Sequence, residues 1–98
     1  MINRKTNSYT AREFHIPNYM FPSLRAYVLD GVIPECFLQA TICNDLFGAC
    51  QTADDENIKN IPGFAAFFYN ETPSDCWGSY EAMLEWKLKI IKERTNGE

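Results

Sequence analysis

The amino-acid sequence predicts an all-α fold, a compact bundle of four to five helices. Apolar residues recur at intervals of three and four in several segments, as they do on the buried face of an amphipathic helix. Residues typical of helix starts and helix ends flank these segments, and the connections between them are short. Helices joined by short connections pack against their neighbours in the chain, and this arrangement gives a bundle.

The first helix is predicted to begin at about Asn18 or Pro22 and to run to Asp30. Proline favours the first turn of a helix, because the N–H that it lacks would have no partner there and its φ angle already suits the helix. Gly31 follows the last predicted helical residue, and glycine readily adopts the left-handed conformation in which many helices end.

The second helix is predicted to be the central and most buried one, with Pro34 at its first position and its end near Gln51-Thr52. Its interior contains a single charged residue, Asp45, next to Asn44. Asn and Asp are poor formers of helix interiors, because their short side chains compete for nearby backbone groups. We therefore expect this pair to belong either to a buried hydrogen-bond network or to a functional site.

The next element is expected to be capped by Thr52 or Asp54, whose side-chain oxygens can accept from backbone N–H groups of the first turn. Pro62 then disfavours a helical conformation at Ile61 and has no N–H to donate. We expect the chain either to kink at this point or to divide into two short helices.

The C-terminal part of the chain is expected to contain two further helices. An aromatic helix is predicted over Phe64–Tyr69, and a loop with turn-forming residues follows over Asn70–Gly78. Ser79 is expected to cap the last helix, which runs from Tyr80 to about Thr95. Acidic residues early in this helix and basic residues late in it complement the helix dipole.

The length of 98 residues suits one domain, and seven Phe, five Tyr and two Trp can supply its core. We expect residues 1–13 to form a flexible basic arm and residues 14–98 to form a single helical domain. No apolar run approaches the roughly 18 residues of a membrane span, and the N-terminus lacks the apolar stretch of a secretory signal. The expectation is a cytoplasmic protein with no membrane partner.

The chain contains four cysteines: Cys36, Cys43, Cys50 and Cys76. Within one helix the first three would lie about 10 Å apart, too far for disulfide bonds, and none of the spacings suits a zinc site. We interpret the cysteines as buried free thiols and predict no metal and no cofactor. A cysteine nucleophile would need a base, and His15 is the only histidine, so we predict a protein that is not an enzyme.

The charge of the chain is unevenly distributed. Between Asp30 and Glu85 there are ten acidic residues against Lys59 alone, a net charge of −9. Such a surface disfavours binding to nucleic-acid phosphates. It suits either a basic partner or simple solvation.

The candidate binding residues are Asn44, Asp45, Asp54, Asn57, Trp77 and Trp86. Asn44 and Asp45 would point about 100° apart on a helix, so that one could face inward. One of them could simply hold a neighbouring helix end or the loop at Cys76–Gly78 by hydrogen bonds. Alternatively, the two could share a polar pocket with Asp54 and Asn57, and that pocket could cross an oligomer interface.

Aromatic rings form the second feature that points to binding. Rings that a domain of this size cannot bury would form a partner surface, because aromatic residues dominate the cores of protein interfaces. Trp77 and Trp86 are predicted to take such interface or rim positions.

Several short motifs within residues 16–86 together resemble small proteins of bacteriophages and prophages. The motifs are Ile16-Pro17, Leu24-x-x-Tyr27-Val28-x-Asp30-Gly31, Pro34-x-x-Phe37-Leu38-x-Ala40, Asn44-Asp45-Leu46, Ala53-Asp54-x-x-Asn57, Tyr69-Asn70-Glu71-x-Pro73 and Cys76-Trp77-Gly78-Ser79. The chain departs from the resemblance at Asn60–Gly63 and in its longer basic N-terminal arm. The resemblance implies a phage origin, and hence the cytosol of a bacterial host, but no biochemical activity and no catalytic residues.

We expect a non-enzymatic phage or prophage accessory protein that binds a host protein through its acidic, aromatic-rich surface. A protein of a host defence system is among the expected partners.

The alternative is a small homo-oligomer that sequesters a nucleotide-type ligand in the polar pocket near Asn44, Asp45 and Asn57. Its positive charge for phosphate would come from basic residues outside the acidic middle of the chain. These are Arg4, Lys5 and Arg12 of the arm or Arg25.

Overall fold

The structure, a computed structural model, describes residues 1–96. Six α-helices and one small antiparallel hairpin make up this part of the chain, so the predicted all-α class is confirmed. The elements are β1 (Thr10–Ala11), β2 (Phe14–His15), α1 (Phe21–Asp30), α2 (Cys36–Ile42), α3 (Leu46–Thr52), α4 (Asp55–Lys59), α5 (Ile61–Glu71) and α6 (Tyr80–Asn96). None of these helices has the length and apolar character needed to cross a membrane.

Helix α1 follows the prediction closely. A single 3-10 turn, Asn18–Met20, leads into the helix, and Pro22 lies in the first turn. Gly31 ends α1 with a φ of 71°, which is the left-handed conformation. A Cβ atom added to Gly31 would lie 3.1 Å from the Cβ of Ile90, so the glycine also allows α6 to approach closely.

The predicted second helix is wrong in one respect, because the chain breaks it into α2 and α3. The break lies at Asn44, whose φ of 63° is left-handed. The backbone N–H of Asp45 donates to the carbonyl of Ala40 at 2.8 Å, and that of Asn44 donates to Thr41 at 3.2 Å. These two bonds form a Schellman motif, which uses the carbonyls that a helix end leaves free.

Helix α3 is therefore peripheral rather than part of a central buried helix. Leu46 is 60% exposed and Phe47 is 81% exposed, while Ala49 is the one fully buried residue of α3. The buried part of the predicted helix is α2, which contributes Phe37 and its neighbours to the core.

The break also changes the environment of the cysteines. Cys36 and Cys50 are exposed, Cys43 is half-buried and Cys76 is buried, and all four are free thiols. The prediction of buried thiols is therefore wrong for Cys36 and Cys50. They lie on the solvent sides of two short helices instead of along one buried stripe.

The chain divides at Asn60 into α4 and α5, which is one of the two outcomes expected from Pro62. Asp54 caps α4 as predicted, since its Oδ1 accepts the backbone N–H of Asn57 at 2.7 Å. The Asn60 side chain is buried, and its Oδ1 accepts the backbone N–H of His15 at 3.0 Å. This bond ties the hairpin to the junction of α4 and α5.

The predicted aromatic helix and the predicted cap of α6 are both confirmed. Helix α5 contains the Phe64–Tyr69 segment. The hydroxyl of Ser79 accepts the backbone N–H of Ala82 at 3.0 Å in the first turn of α6. The loop between α5 and α6 is held from inside the core. The hydroxyl of Tyr27, a residue of α1, donates to the backbone carbonyl of Cys76 in this loop at 2.6 Å.

Aromatic side chains dominate the core. The rings of Phe37 and Phe64 meet edge to face at 5.0 Å, which joins α2 to α5. The rings of Phe21 and Phe67 meet in the same way at 5.9 Å and join α1 to α5. Edge-to-face contacts of this kind are favourable beyond the area they bury, so α5 is the hub of the bundle.

Residues 1–13, which the sequence predicts to be a flexible basic arm, contact the helices at several points. Ile2 is buried, and its backbone N–H donates to the carbonyl of Glu71 at 2.8 Å. The ring of Tyr9 lies 5.2 Å from that of Phe67. Two apolar side chains thus help to hold this basic segment on the bundle, because burying a large apolar side chain contributes about 2 kcal/mol.

A cluster of ion pairs centred on Asp30 also holds the N-terminal segment against the helices. The carboxylate of Asp30, at the end of α1, accepts from Arg4 at 2.6 Å and also from Arg94 of α6. The Arg4 hydrogen bond, together with that from Arg94, lowers the pKa of Asp30 to about 2. One carboxylate therefore connects the N-terminal segment, α1 and α6.

We expect Asp30→Asn to lower the free energy of unfolding by up to about 1 kcal/mol at neutral pH, since partly exposed ion pairs are screened by solvent. The pKa of about 2 in the folded state lies below the unfolded value of roughly 3.9. The ion cluster therefore stabilises the fold above about pH 4, and that contribution disappears as the pH falls towards 2. Chemical unfolding of both proteins at neutral pH and near pH 2 measures the difference.

Asp75→Asn is the control, because the Asp75 carboxylate is exposed and lies 3.9 Å from Lys89. It should leave the stability nearly unchanged. Equal stability of Asp30→Asn and the wild type at neutral pH would show that the cluster does not contribute.

Candidate functional site

An apolar groove of about 280 Å³ lies between α2, α3 and α5. Residues from these three helices, the turn between α2 and α3, and the loop before α6 line it. They are Ala40, Thr41, Asn44, Asp45, Leu46, Ala49, Ile61, Ala65, Phe68, Tyr69 and Trp77. Within residues 1–96 this groove combines the exposed apolar side chains of α3 and α5 with a buried base.

Buried and exposed residues divide the groove into a base and a rim. Ala49 and Phe68 are 2% and 3% exposed and belong to the base. Leu46 and Tyr69 are 60% and 74% exposed and stand at the rim. Ala65 lies on α5 with only a methyl group on its exposed side, so the groove stays open above it.

The turn at Asn44-Asp45 determines the position of α3 and therefore the groove. Asn44 ends α2 in the left-handed conformation, and Asp45 then caps α3. The Oδ1 atom of Asp45 accepts the backbone N–H of Gly48 at 2.9 Å. A Cβ atom on Gly48 would overlap the Asp45 carboxylate in its present position, so glycine leaves room for this arrangement of the cap.

The loop before α6 supplies the remaining wall. The backbone N–H of Gly78 donates to the carbonyl of Ile42 at 2.8 Å, so the free end of α2 holds the loop. The Trp77 ring lies 6.2 Å from the ring of Tyr69. Trp77 is half-buried, and its ring forms this side of the groove.

The groove contains one acidic side chain, and the helices that form it contain no basic residue. Helices α2, α3 and α5 contain no lysine and no arginine, and Asp45 lies in the groove lining. Glu71 ends α5, and it pairs with the N-terminal amino group at 2.9 Å. The groove is therefore mainly apolar, with the Asp45 carboxylate at its edge. Among residues 1–96, Asp45 has no ion-pair partner.

The structure brings three of the six predicted site residues to the groove and places the other three elsewhere. Asn44, Asp45 and Trp77 line the groove. Asp54 accepts the hydroxyl of Tyr19 at 2.6 Å, and this hydrogen bond lowers the pKa of the Asp54 carboxyl.

Asn57 is buried, and its Nδ2 lies 3.4 Å from the sulfur of Met20. The predicted polar pocket of Asn44, Asp45, Asp54 and Asn57 is therefore not formed within one chain. Asn44 and Asp45 line the groove at the turn before α3, whereas Asp54 and Asn57 lie at the start of α4 and do not line it.

Trp86 is a core residue, so its predicted rim position is wrong. Its side chain is 7% exposed, and its Nε1 donates to the carbonyl of Val28 at 3.1 Å. An indole ring with a backbone acceptor for its N–H can be buried without an unpaired polar group. In this way α6 is attached to α1.

The sequence interpretation missed four residues that give the groove its shape: Ala40, Leu46, Ala65 and Tyr69. Alanines on two facing helices leave space between them, and this signal is present in the sequence. The predicted continuous second helix hides this signal, because it directs Leu46 into the core.

The thiols that approach this region are poorly suited to nucleophilic chemistry. Burial raises the pKa of the Cys43 thiol and of the Cys76 thiol, so both favour the unreactive protonated form. Across residues 1–96, no group of three or more His, Cys, Asp and Glu side chains is arranged to hold a metal ion.

Comparison of the chain with protein-family models, with curated proteins and with solved structures finds no match. The resemblance to phage proteins stays a prediction.

We expect Asp45→Ala to destabilise the protein by about 1 kcal/mol, because it removes the cap of α3. Asp45→Asn is the matched control, since asparagine caps helices as well as aspartate does. Thermal or urea unfolding of the three proteins measures the loss. If Asp45→Ala is as stable as the wild type, the cap does not hold α3 in place.

Proposed function

We propose that the chain is a binding protein whose groove between α2, α3 and α5 accepts large apolar side chains from a partner protein. The observation that carries this proposal is the combination of a buried base with exposed Leu46 and Tyr69 at the rim. Exposed apolar surface around a concavity is typical of protein-binding sites. The proposed activity is binding and not catalysis.

The size of the groove supports a side-chain anchor rather than a whole small molecule. Its volume of about 280 Å³ is below the range of roughly 300–1,000 Å³ that is typical for pockets of drug-sized ligands. A few buried anchors supply most of the energy in many protein interfaces. One or two large apolar side chains, projected from a short helix or an extended segment, would fit this space.

The charge around the groove supports a partner segment with basic flanks. The groove helices carry no positive charge, and Asp45 stands at the edge with an exposed carboxylate. Lysine or arginine beside the apolar anchor would gain from this field, whereas acidic flanks would be repelled. The partner chemistry we propose is therefore an apolar anchor within a basic segment.

The resemblance to phage and prophage proteins gives the proposal its biological setting. We propose that the partner is a host protein in the bacterial cytosol, with proteins of defence systems among the candidates. The middle of the chain, from Asp30 to Glu85, has a net charge of −9. This charge favours a basic partner, as the Asp45 carboxylate at the groove does.

The nucleotide alternative lacks comparable support. Asn57 is packed in the core against Met20, away from the groove. Arg4 is engaged by Asp30, and Arg25 donates to the carbonyl of Thr6 at 2.5 Å. A phosphate in the groove would therefore meet Asp45 and no cation from α2, α3 or α5.

Ala65→Gln tests the proposal, because glutamine is neutral, suits a helix and would fill the open space above the groove base. The probe is a helical peptide with Leu and Phe anchors flanked by lysines. We expect Ala65→Gln to weaken its binding at least about tenfold, a loss of roughly 1.4 kcal/mol. Chemical-shift changes in a titration of the wild type should centre on the groove residues.

Ile58→Gln is the matched control, since Ile58 is 41% exposed on α4 and does not line the groove. Its affinity for the peptide should equal that of the wild type. A second peptide with the same anchors flanked by glutamates should bind more weakly than the lysine peptide. Binding that is unaffected by Ala65→Gln, or no binding of either peptide, would overturn the proposal.

A further inference from the structure

Helix α6 exposes an apolar stripe on a face that the bundle does not cover. Leu84, Leu88 and Ile91 are 37%, 63% and 46% exposed. Met83 and Trp86 of the same helix are 1% and 7% exposed and point into the core. The stripe is thus a second surface, formed by residues that do not line the groove.

The spacing of the stripe is that of a helix–helix seam. Leu84, Leu88 and Ile91 follow one another at intervals of four and three residues. Apolar residues at these intervals form the contact line of two-stranded coiled coils. A partner helix of the same length would therefore fit along α6.

The charges beside the stripe are arranged for a second copy of the same helix. Glu85 and Lys92 lie seven residues apart on one edge of the stripe, and both are exposed. Neither forms an ion pair with another residue of the 1–96 range. An acid in the first half and a base in the second half make this edge complementary to itself when two copies run in opposite directions.

We propose that α6 mediates an antiparallel homodimer of this chain. Glu85 faces Lys92 of the partner subunit, and two-fold symmetry repeats this pair. Leu84, Leu88 and Ile91 bury their exposed atoms against the same stripe of the second copy. Such an interface is isologous, because one patch serves both sides.

The opposite edge of the stripe sets the orientation. In a parallel pair, Lys87 would face Lys92 of the partner subunit, and the two like charges would repel. In the antiparallel pair, Lys87 approaches Arg94 of the partner subunit. Asp30, which Arg94 shares with Arg4, compensates part of this positive charge within each chain, so the repulsion at this edge is smaller than between two unpaired lysines.

The length of α6 limits the strength of the dimer. Its 17 residues span about 25 Å, and one helix pair buries less than the roughly 1,600 Å² of a standard interface. We therefore expect a dimer of micromolar or weaker affinity that forms in a concentration-dependent way. Its ion pairs should weaken as salt is added.

Sedimentation velocity of the full chain from about 10 μM to about 1 mM tests the dimer directly. The expected result is a shift from the chain mass of 11.3 kDa to twice that mass as the concentration rises. Leu88→Gln should abolish the shift while the far-ultraviolet circular dichroism spectrum stays unchanged. A wild type that remains monomeric at every concentration would overturn the proposal.

A charge exchange tests the pairing of Glu85 with Lys92. Glu85→Lys alone and Lys92→Glu alone should each weaken dimerisation about tenfold, because two symmetric attractions become repulsions. The double variant should dimerise as the wild type does. If both single variants dimerise more weakly and the double variant does not regain the wild-type affinity, this antiparallel register is excluded.

Glu93→Lys is the matched control, since Glu93 is exposed on α6 and lies on the side away from the stripe. Its dimerisation should equal that of the wild type. Equal weakening by Glu93→Lys would mean that net charge, and not the proposed pair, controls association.

Discussion

The left-handed conformation of Asn44 is the local constraint on which the binding surface depends. Without it, α2 would continue in its own direction and Leu46 would turn towards the bundle. With it, α2 ends in a Schellman motif and α3 starts at the Asp45 cap. A non-glycine residue in this conformation usually costs 1 kcal/mol or more, and asparagine is the residue that tolerates it best. The strained conformation of Asn44 is therefore what allows α3 to start in a new direction, beside the open groove.

The sequence carried enough information for most of the helices, because their ends are marked by local signals. Gly31, Asp54 and Ser79 act as the sequence predicts, each within one turn of the helix that it ends or begins. The same kinds of signal are present at Asn44 and Asp45, a left-handed residue followed by an N-cap. The apolar period continues across them and predicts a helix interior, because periodicity alone does not distinguish one helix from two consecutive helices.

The groove and the docking of residues 1–13 depend on contacts between residues far apart in the sequence, so no local pattern predicts them. Ile2 bonds to the end of α5, and Tyr9 packs on Phe67. The core position of Trp86 has the same origin, because it depends on the free carbonyl of Val28 at the end of α1. The indole N–H of a tryptophan is expected to find a hydrogen-bond acceptor. The sequence does not show whether that acceptor is water, another protein or the chain itself.

The groove and the α6 stripe lie on different elements, and this separation has a consequence for binding. The proposed two-fold dimer through α6 does not use the groove residues in its interface, so the assembly would present two identical apolar sites. A partner that carries two anchor segments at a matching distance would bind the second one within the same complex, at a raised effective concentration. Weak single sites are then sufficient for a long-lived complex with a symmetric partner, while a monomeric partner with one anchor would dissociate quickly. If both proposals hold, a small groove and a weak dimer would together favour partners that are themselves oligomers.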